Sequence, residues 1–302
     1  MKRRAVLSAG LGASAALAIA GRTPVWAGET PALRAGDVAA ARRMFTRGRY
    51  DQLQQRLPRL LAAAHDTAMT GPTGVERAAR LLVLASQLAV KQGRIDAAAT
   101  YADSAVTTAR RSGQPVLLAA AARAAATPLR HTGRTDQALR LLDEARTHLS
   151  DARPTAPVLD AAGMLALTAA YTAAQAHLTV PALQFAALAE QIADRLAREA
   201  AAPTGQPPWE LSAGQCTLYR IGVHRELGDP DTALAHARRL NTAELPTAER
   251  RARAATDTAR ALLATGDAAG AFAQLQQVQD AAPQEARRPS LRALTSDIAT
   301  AR

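Results

Sequence analysis

Gly93 to Ala109, GRIDAAATYADSAVTTA, decides how this chain folds. Its glycine is followed five residues later by Ala98, and then by Ala102, Ala105 and Ala109, a 4-3-4 spacing that puts all four on one helix face. The figure recurs as Gly48 with Leu53, Leu57, Leu60 and Ala64, and as Gly133 with Ala138, Leu142, Ala145 and Leu149. It returns as Gly266 with Ala271, Leu275, Val278 and Ala282, and in shorter form as Gly228 with Ala233, Ala237 and Leu240. Another copy, Ala182, Ala186, Ala189 and Ala193, has His177 where the glycine should be. The six anchors stand 38 to 51 residues apart, which marks a helical repeat array. Each unit buries its seam against its neighbours, so the 302 residues read as one growing body.

Alanine and leucine dominate, aromatics are 3%, and β-branched runs are scarce, so the expected fold is all-α. The repeats fall at 36–66, 76–112, 115–150, 156–199, 212–241 and 247–285, followed by a polar capping helix at 289–301 of the kind that solenoids need. Pro58 should bend or split the second helix of the first pair, and Pro128 should cost the third pair some regularity. Thr135 is the expected N-cap of its helix. Ala200 to Trp209, AAPTGQPPW from Ala201, is the longest interruption and is expected to be a mobile loop or hinge.

The formal charge is +11, and nearly all of the positive charge is arginine, with Lys2 and Lys91 the only lysines. No dense basic block stands beside stacking aromatics, so an arginine-rich surface with a ligand groove is favoured over direct nucleic-acid contact. A single cysteine, Cys216, excludes an internal disulfide and a multi-cysteine metal site. Residues 1–35 form a leader or a linker. Met1 to Ala27 has a basic start, an apolar run from Ala5 to Gly21 and a small-residue cleavage site at Val25-Trp26-Ala27, the layout of a secretory leader. Arg3-Arg4-Ala5-Val6-Leu7 is similar to a twin-arginine export signal, although it has Val where Phe is usual. The run is too short and too rich in Gly, Ala and Ser for a stable membrane span. An interdomain linker accounts for the same residues equally well.

Gly266, Ala271 five on and Pro283 twelve further resemble the tetratricopeptide pattern of turn glycine, small packing residue and closing proline. The resemblance implies a right-handed solenoid of about six antiparallel helix pairs, although the usual Trp and Tyr of each first helix are mostly absent. A second likeness covers most of the chain. Arg47-Gly48-Arg49-Tyr50-Asp51 with Leu57-Pro58, then Glu226-Leu227-Gly228-Asp229-Pro230, Leu245-Pro246 with Arg250-Arg251-Ala252-Arg253, and Ala281-Ala282-Pro283 carry it. These resemble the C-terminal sensor region of XRE-type helix-turn-helix transcriptional regulators of high-GC bacteria. No helix-turn-helix module lies before Asp37, so the resemblance implies a regulatory array and does not demonstrate DNA binding.

Catalytic motifs are absent: there is no HExxH, GxSxG, P-loop or complete GxGxxG, and the six histidines are scattered over separate repeats. Cys216 reads as an ordinary buried thiol, and His224 with Glu226 as surface or core residues rather than a catalytic pair. In tetratricopeptide arrays the first helix of each pair lines the concave face, at 13, 10, 6 and 3 residues before the turn. Carried onto the six anchors, that rule gives twenty-four positions, of which seven are arginine and none is acidic. Roughly an eighth of the chain is arginine, so about three would be expected. The groove candidates are Arg42, Phe45, Arg80, Gln87, Arg123, Arg130, Tyr171, Arg225, Arg253 and Arg260, with Met164 and Leu167 as further apolar contacts. Arginines there would act as bidentate partners of carboxylates.

The expected function is thus a non-enzymatic sensor and protein-interaction module of a bacterial transcriptional regulator. It would bind a peptide, an acidic ligand or a partner protein in its concave groove, with no cofactor or metal. DNA would be reached only through a separate helix-turn-helix domain, homodimerisation stays open, and the location would be cytoplasmic. The alternative is a tetratricopeptide scaffold or binding protein exported by the twin-arginine route.

Overall fold

At each turn glycine the backbone enters the left-handed region, with φ of 69° at Gly48, 73° at Gly93, 71° at Gly133, 79° at Gly228 and 84° at Gly266. The next residue's N–H reaches back five positions: Arg49 to the Met44 carbonyl, Arg94 to Ala89, Arg134 to Leu129, Asp229 to His224 and Asp267 to Leu262, all at 2.8–2.9 Å. This is the Schellman closure, which satisfies carbonyls that a helix end leaves without partners. His177 makes the same turn at φ 56°, with Leu178 N–H on the Ala173 carbonyl at 2.9 Å. The six anchors are therefore six copies of one helix–turn–helix joint.

The computed structural model describes residues 32–199 and 209–301, and all elements below belong to the unit Pro31–Arg302. The leader features and residues 200–208 of the expected mobile loop lie outside the described residues. Among the described residues there are helices and no strand. In chain order they are α1 (Ala35–Thr46), α2 (Tyr50–Thr67), α3 (Pro72–Lys91), α4 (Ile95–Ser112), α5 (Pro115–His131) and α6 (Thr135–Ser150). There follow α7 (Ala156–Gln175), α8 (Thr179–Glu199), α9 (Ala213–Glu226), α10 (Pro230–Arg239), α11 (Ala248–Ala264) and α12 (Ala268–Ala281). Two short elements, α13 (Pro283–Ala286) and α14 (Pro289–Thr300), end the chain. The fold is an all-α helical repeat.

The odd-numbered helices from α1 to α11 pack successively against one another and make an inner layer. Each even-numbered helix from α2 to α10 lies outside, wedged between its own partner and the next inner helix, and α12 lies between α11 and the two last helices. The quoted stretch shows why. Ala98, Ala102, Ala105 and Ala109 are all buried, and without bulk beyond Cβ they let α4 settle closely on α3 and α5. Ser86 Oγ on α3 donates to the Ala98 carbonyl at 2.9 Å, a bond that needs this close approach. The α7 helix sits between α5, α8 and α9 and is apolar nearly all round, because it meets protein on most sides. It is the one described helix long and apolar enough to cross a membrane, and two thirds of its apolar stretch (67%) is buried in the fold.

Two local expectations are corrected, those for Thr135 and for the capping helix. Pro58 and Pro128 lie inside α2 and α5, and neither helix is split. Packing holds both helices through the lost backbone donor, with Leu57 beside the first proline and Pro128 itself buried. Thr135 is the first helical residue, and Arg134 occupies the cap without a side-chain bond. Asp136 in the first turn instead complements the helix dipole. The C-terminal α14 is not a purely polar cap: it buries Leu291, Leu294 and Ile298 against α11 and α12.

Candidate binding site on the inner face

The two ends of the array meet. Tyr50, opening α2, donates its hydroxyl to Glu285 of α13, and Gln284 bonds both the Tyr50 and Asp51 backbone amides. Lys91, ending α3, lies 2.6 Å from Glu249 of α11 and 2.7 Å from Glu285. Arg288 pairs with Glu285 at 2.8 Å. Gly93 comes so close to Pro289 that an added Cβ would sit 3.1 Å from its ring. The inner layer therefore closes on itself.

Inside this closure three polar groups line the inner helices. Glu210, just ahead of α9, accepts from Arg42 of α1 and from Arg123 of α5, the latter at 3.3 Å. Asp257 of α11 is ringed by Arg260 at 3.5 Å, Arg253 at 3.6 Å and Arg225 at 3.9 Å. Glu226 takes a hydrogen bond of 2.6 Å from the Tyr171 hydroxyl and another of 2.6 Å from Arg225. Between these groups, Arg253 stacks over the Tyr219 ring at 4.1 Å and lies 5.5 Å from the Tyr171 ring, while Arg130 lies 5.3 Å over the other aromatic neighbour, Tyr171.

Charge excess shapes the ionisation of this wall. Burial raises Glu210, but Arg123, Arg42 and Arg250 outweigh it and hold the carboxyl down at about 2. Burial, with Asp257 next, pushes the Tyr171 phenol up to about 12. At Tyr219 burial acts the same way, yet Arg253, Arg250 and Arg123 override it and bring the phenol down to about 7. Burial lowers Arg130, the one inner arginine for which, among the described residues, no carboxylate lies within ion-pair distance; its hydrogen bonds go to Thr172 and Thr127.

The structure brings together Arg42, Gln87, Arg123, Arg130, Tyr171, Arg225, Arg253 and Arg260; Gln87 accepts from Arg42 at 3.0 Å. Phe45 is buried against Tyr50 with Arg42 above it, so it supports the wall from behind. Arg80 does not join: it pairs with Glu76 on its own helix, and its side chain is 55% exposed. Met164 and Leu167 are fully buried in the core around α7, which corrects their assignment as apolar ligand contacts. Sequence reasoning missed Glu210, Tyr219, Arg250 and Asp257. A signal existed for two of them: nine residues before the turn stand Thr168, Tyr219 and Asp257 in three successive repeats, and all three bond or stack with inner arginines.

Cys216 is buried, and burial pushes its thiol up to about 12. His224 faces Asp229 at 3.3 Å and stacks on His236, apart from Glu226. A cavity of about 520 Å3 lies where the short α10 leaves α11 and α12 uncovered; Leu234, Leu240, Arg251 and Leu262 line it, and none of the inner arginines does.

No protein-family model matches the chain, and no curated protein matches it. Among solved structures it is similar to BtubC (BKLC) from P. vanneervenii, at 16% identity and a TM-score of 0.47, over 81% of this chain and 89% of that one. It is also similar to the APC/C hetero-tetramer Cut9–Hcn1, at 14% identity and a TM-score of 0.34, over 87% of this chain and 55% of that one.

Proposed function

We propose that the chain is a non-enzymatic helical-repeat binding module whose inner arginine wall receives an acidic ligand, a peptide or an acidic segment of a partner protein, and that it serves as the sensor part of a bacterial transcriptional regulator. The observation that carries the binding half is the arrangement of Arg123, Arg130, Arg250 and Arg253 around Tyr219, with fewer carboxylates than cations to absorb their charge. Wide burial of arginine without full pairing is costly unless a further anion arrives. The contacts that join the two ends of the array supply a readout, since a ligand that binds one arrangement of the ring better than another shifts the population toward it.

The regulatory half rests on the resemblance of the tetratricopeptide-like stretches to XRE-type sensor regions, and DNA would be reached through a helix-turn-helix domain in cis or on a partner. A chromatin pull-down of the full chain from its own cells tests it. The reading expects an enriched locus whose occupancy changes in the Arg123→Ala/Arg130→Ala variant; no enrichment at any locus would count against it.

Arg3-Arg4-Ala5-Val6-Leu7 favours a second reading, an exported scaffold or binding protein. Replacing Arg3 and Arg4 with lysine should then abolish export, and unchanged secretion or a cytoplasmic wild type would remove it.

A further inference from the structure

Four guanidinium groups approach one place from two sides. Arg123 and Arg130 stand two turns apart on one face of α5, and Arg250 and Arg253 stand one turn apart on α11. Arg130 and Arg253 lie over the Tyr171 ring at 5.3 and 5.5 Å, Arg253 lies over the Tyr219 ring at 4.1 Å, and the charges of Arg123 and Arg250 bear on the same phenol. Every carboxylate near them is shared. Glu210 is also held by Arg42, Glu249 by Lys91, and Asp257 by Arg225 and Arg260, so these carboxylates are outnumbered. Donors are also left over. The Gln215 amide nitrogen, one turn before Tyr219 on the same face of α9, is buried with no acceptor among the described residues, and so is Nε of Arg225. An unmet buried donor costs about 1–3 kcal/mol. Asp257 Oδ2 is buried without a hydrogen bond as well, so the case for a further anion rests on the surplus of guanidinium charge, with the two spare donors beside it. The wall is nevertheless not sealed: the side chains of Arg253 and Arg250 keep 23% and 16% of their exposure.

We propose that the space bounded by Arg123, Arg130, Arg250, Arg253, Tyr171 and Tyr219 is a binding site for a phosphoryl dianion, either inorganic phosphate or the phosphate group of a larger ligand. This rests on the reading of the inner face as an anion receptor and names the chemistry it takes. A planar carboxylate presents two oxygens and is satisfied by one bidentate arginine, whereas a phosphoryl group presents three oxygens out of plane to donors arriving from different helices. Its second negative charge also answers a surplus that a single carboxylate would leave standing. Tyr171 and Tyr219 close the site with aromatic faces that the same arginines already stack upon.

Tyr219 provides an internal reporter. The charged and titratable groups around it are the four arginines, Tyr171 of α7, Asp257 of α11, and Glu210 and Glu226 at the two ends of its own helix. On α8, Glu190 is taken by Arg220, and on α10 His236 stacks on His224. Phenolate and phosphate compete for the same cations, so bound phosphate must keep the phenol protonated to higher pH.

The experiment titrates tyrosinate ultraviolet absorbance of the full wild-type chain at constant ionic strength, in chloride, with inorganic phosphate, with phenyl phosphate and with succinate, alongside calorimetry of the same anions. In chloride the midpoint should fall at about 7, and phosphate should raise it. Calorimetry should show one phosphate per chain, with affinity about tenfold or more weaker in Arg253→Gln and in Arg130→Gln and unchanged in Arg80→Gln. Binding of both phosphate and its phenyl ester identifies a larger phosphorylated ligand, and binding of inorganic phosphate alone identifies the free anion; each supports the site. A midpoint that phosphate does not move, with no calorimetric signal, overturns it, and the wild-type titration decides the matter even where a variant fails to fold. Succinate acting as strongly as phosphate overturns the phosphoryl class and leaves the acidic-ligand reading standing. Acidic peptides that bind through Arg123 and Arg130 while phosphate does not would sink this inference alone.

Discussion

Lys91 Nζ lies 2.7 Å from a carboxylate oxygen of Glu285, a pairing between the second repeat and the chain's last turns. With Glu249 at 2.6 Å on its other side, the only lysine in the repeats holds two carboxylates; Glu285 is buried, and the side chains of Lys91 and Glu249 keep only 11% and 13% of their exposure. The closure of the array is thus anchored by an ion triad, and the cost of breaking it is set by the charges left behind.

Replacing Lys91 with methionine strands Glu249 and Glu285 in the interior. Breaking a buried pair from one side costs about 3–5 kcal/mol. Urea unfolding followed by circular dichroism should show a loss of that size. A loss below about 1 kcal/mol, the range of an exposed pair, would mean that the ends of the array do not meet in solution.

Acid should loosen the same structure. Glu210 is held at about 2, and Glu249 and Glu285 are held below the ordinary 4.5, burial being outweighed at each by neighbouring cations. Their folded values lie under the unfolded ones, so they contribute stability above about pH 4.5 that is lost progressively as pH falls toward 2. Thermal unfolding across that window should show the midpoint dropping steeply. A flat profile would contradict the inner ion pairs.

Gly163 on α7 has no room for a side chain: an added Cβ would overlap Cδ2 of Leu211, which is itself buried. Gly163→Ala should therefore cost about 1–3 kcal/mol by overpacking, although alanine is the better helix former. A stabilised variant would show that Leu211 is not seated against α7.

The repeat joints were legible because they depend on local geometry: a residue able to take positive φ, then small residues at helical spacing. His177 was legible only as a gap in the pattern, yet the chain forces it into the turn at φ 56°. The arginine wall was half legible. A rule counting from the turn finds Arg42, Arg123, Arg130, Arg225, Arg253 and Arg260, since these repeat with the helices. Glu210 lies between helices and reaches Arg42 only because the array curves round to meet itself. Ring closure of this kind follows from the summed rotation of all repeats, which no single stretch encodes. The absence of acidic residues at the counted positions suggested an uncompensated groove, and long-range closure supplies part of the compensation.

Because His177 takes the left-handed conformation at a position where other repeats use glycine, His177→Gly should relieve backbone strain. Such strain is about 1–2 kcal/mol, of which glycine's greater freedom in the unfolded chain returns roughly half. Denaturant midpoints should rise by an amount equivalent to about 0.5–1 kcal/mol. A fall would mean that the imidazole makes a contact worth more than the strain.

The binding claim is tested most directly by calorimetric titration of an acidic peptide panel into the full wild-type chain and its Arg123→Ala/Arg130→Ala variant, with helicity checked in both. The account predicts binding by the wild type that weakens about tenfold or more in the variant at unchanged helicity and fades with added salt. Equal affinity of the two proteins for every peptide would contradict the inner arginine wall as the receptor.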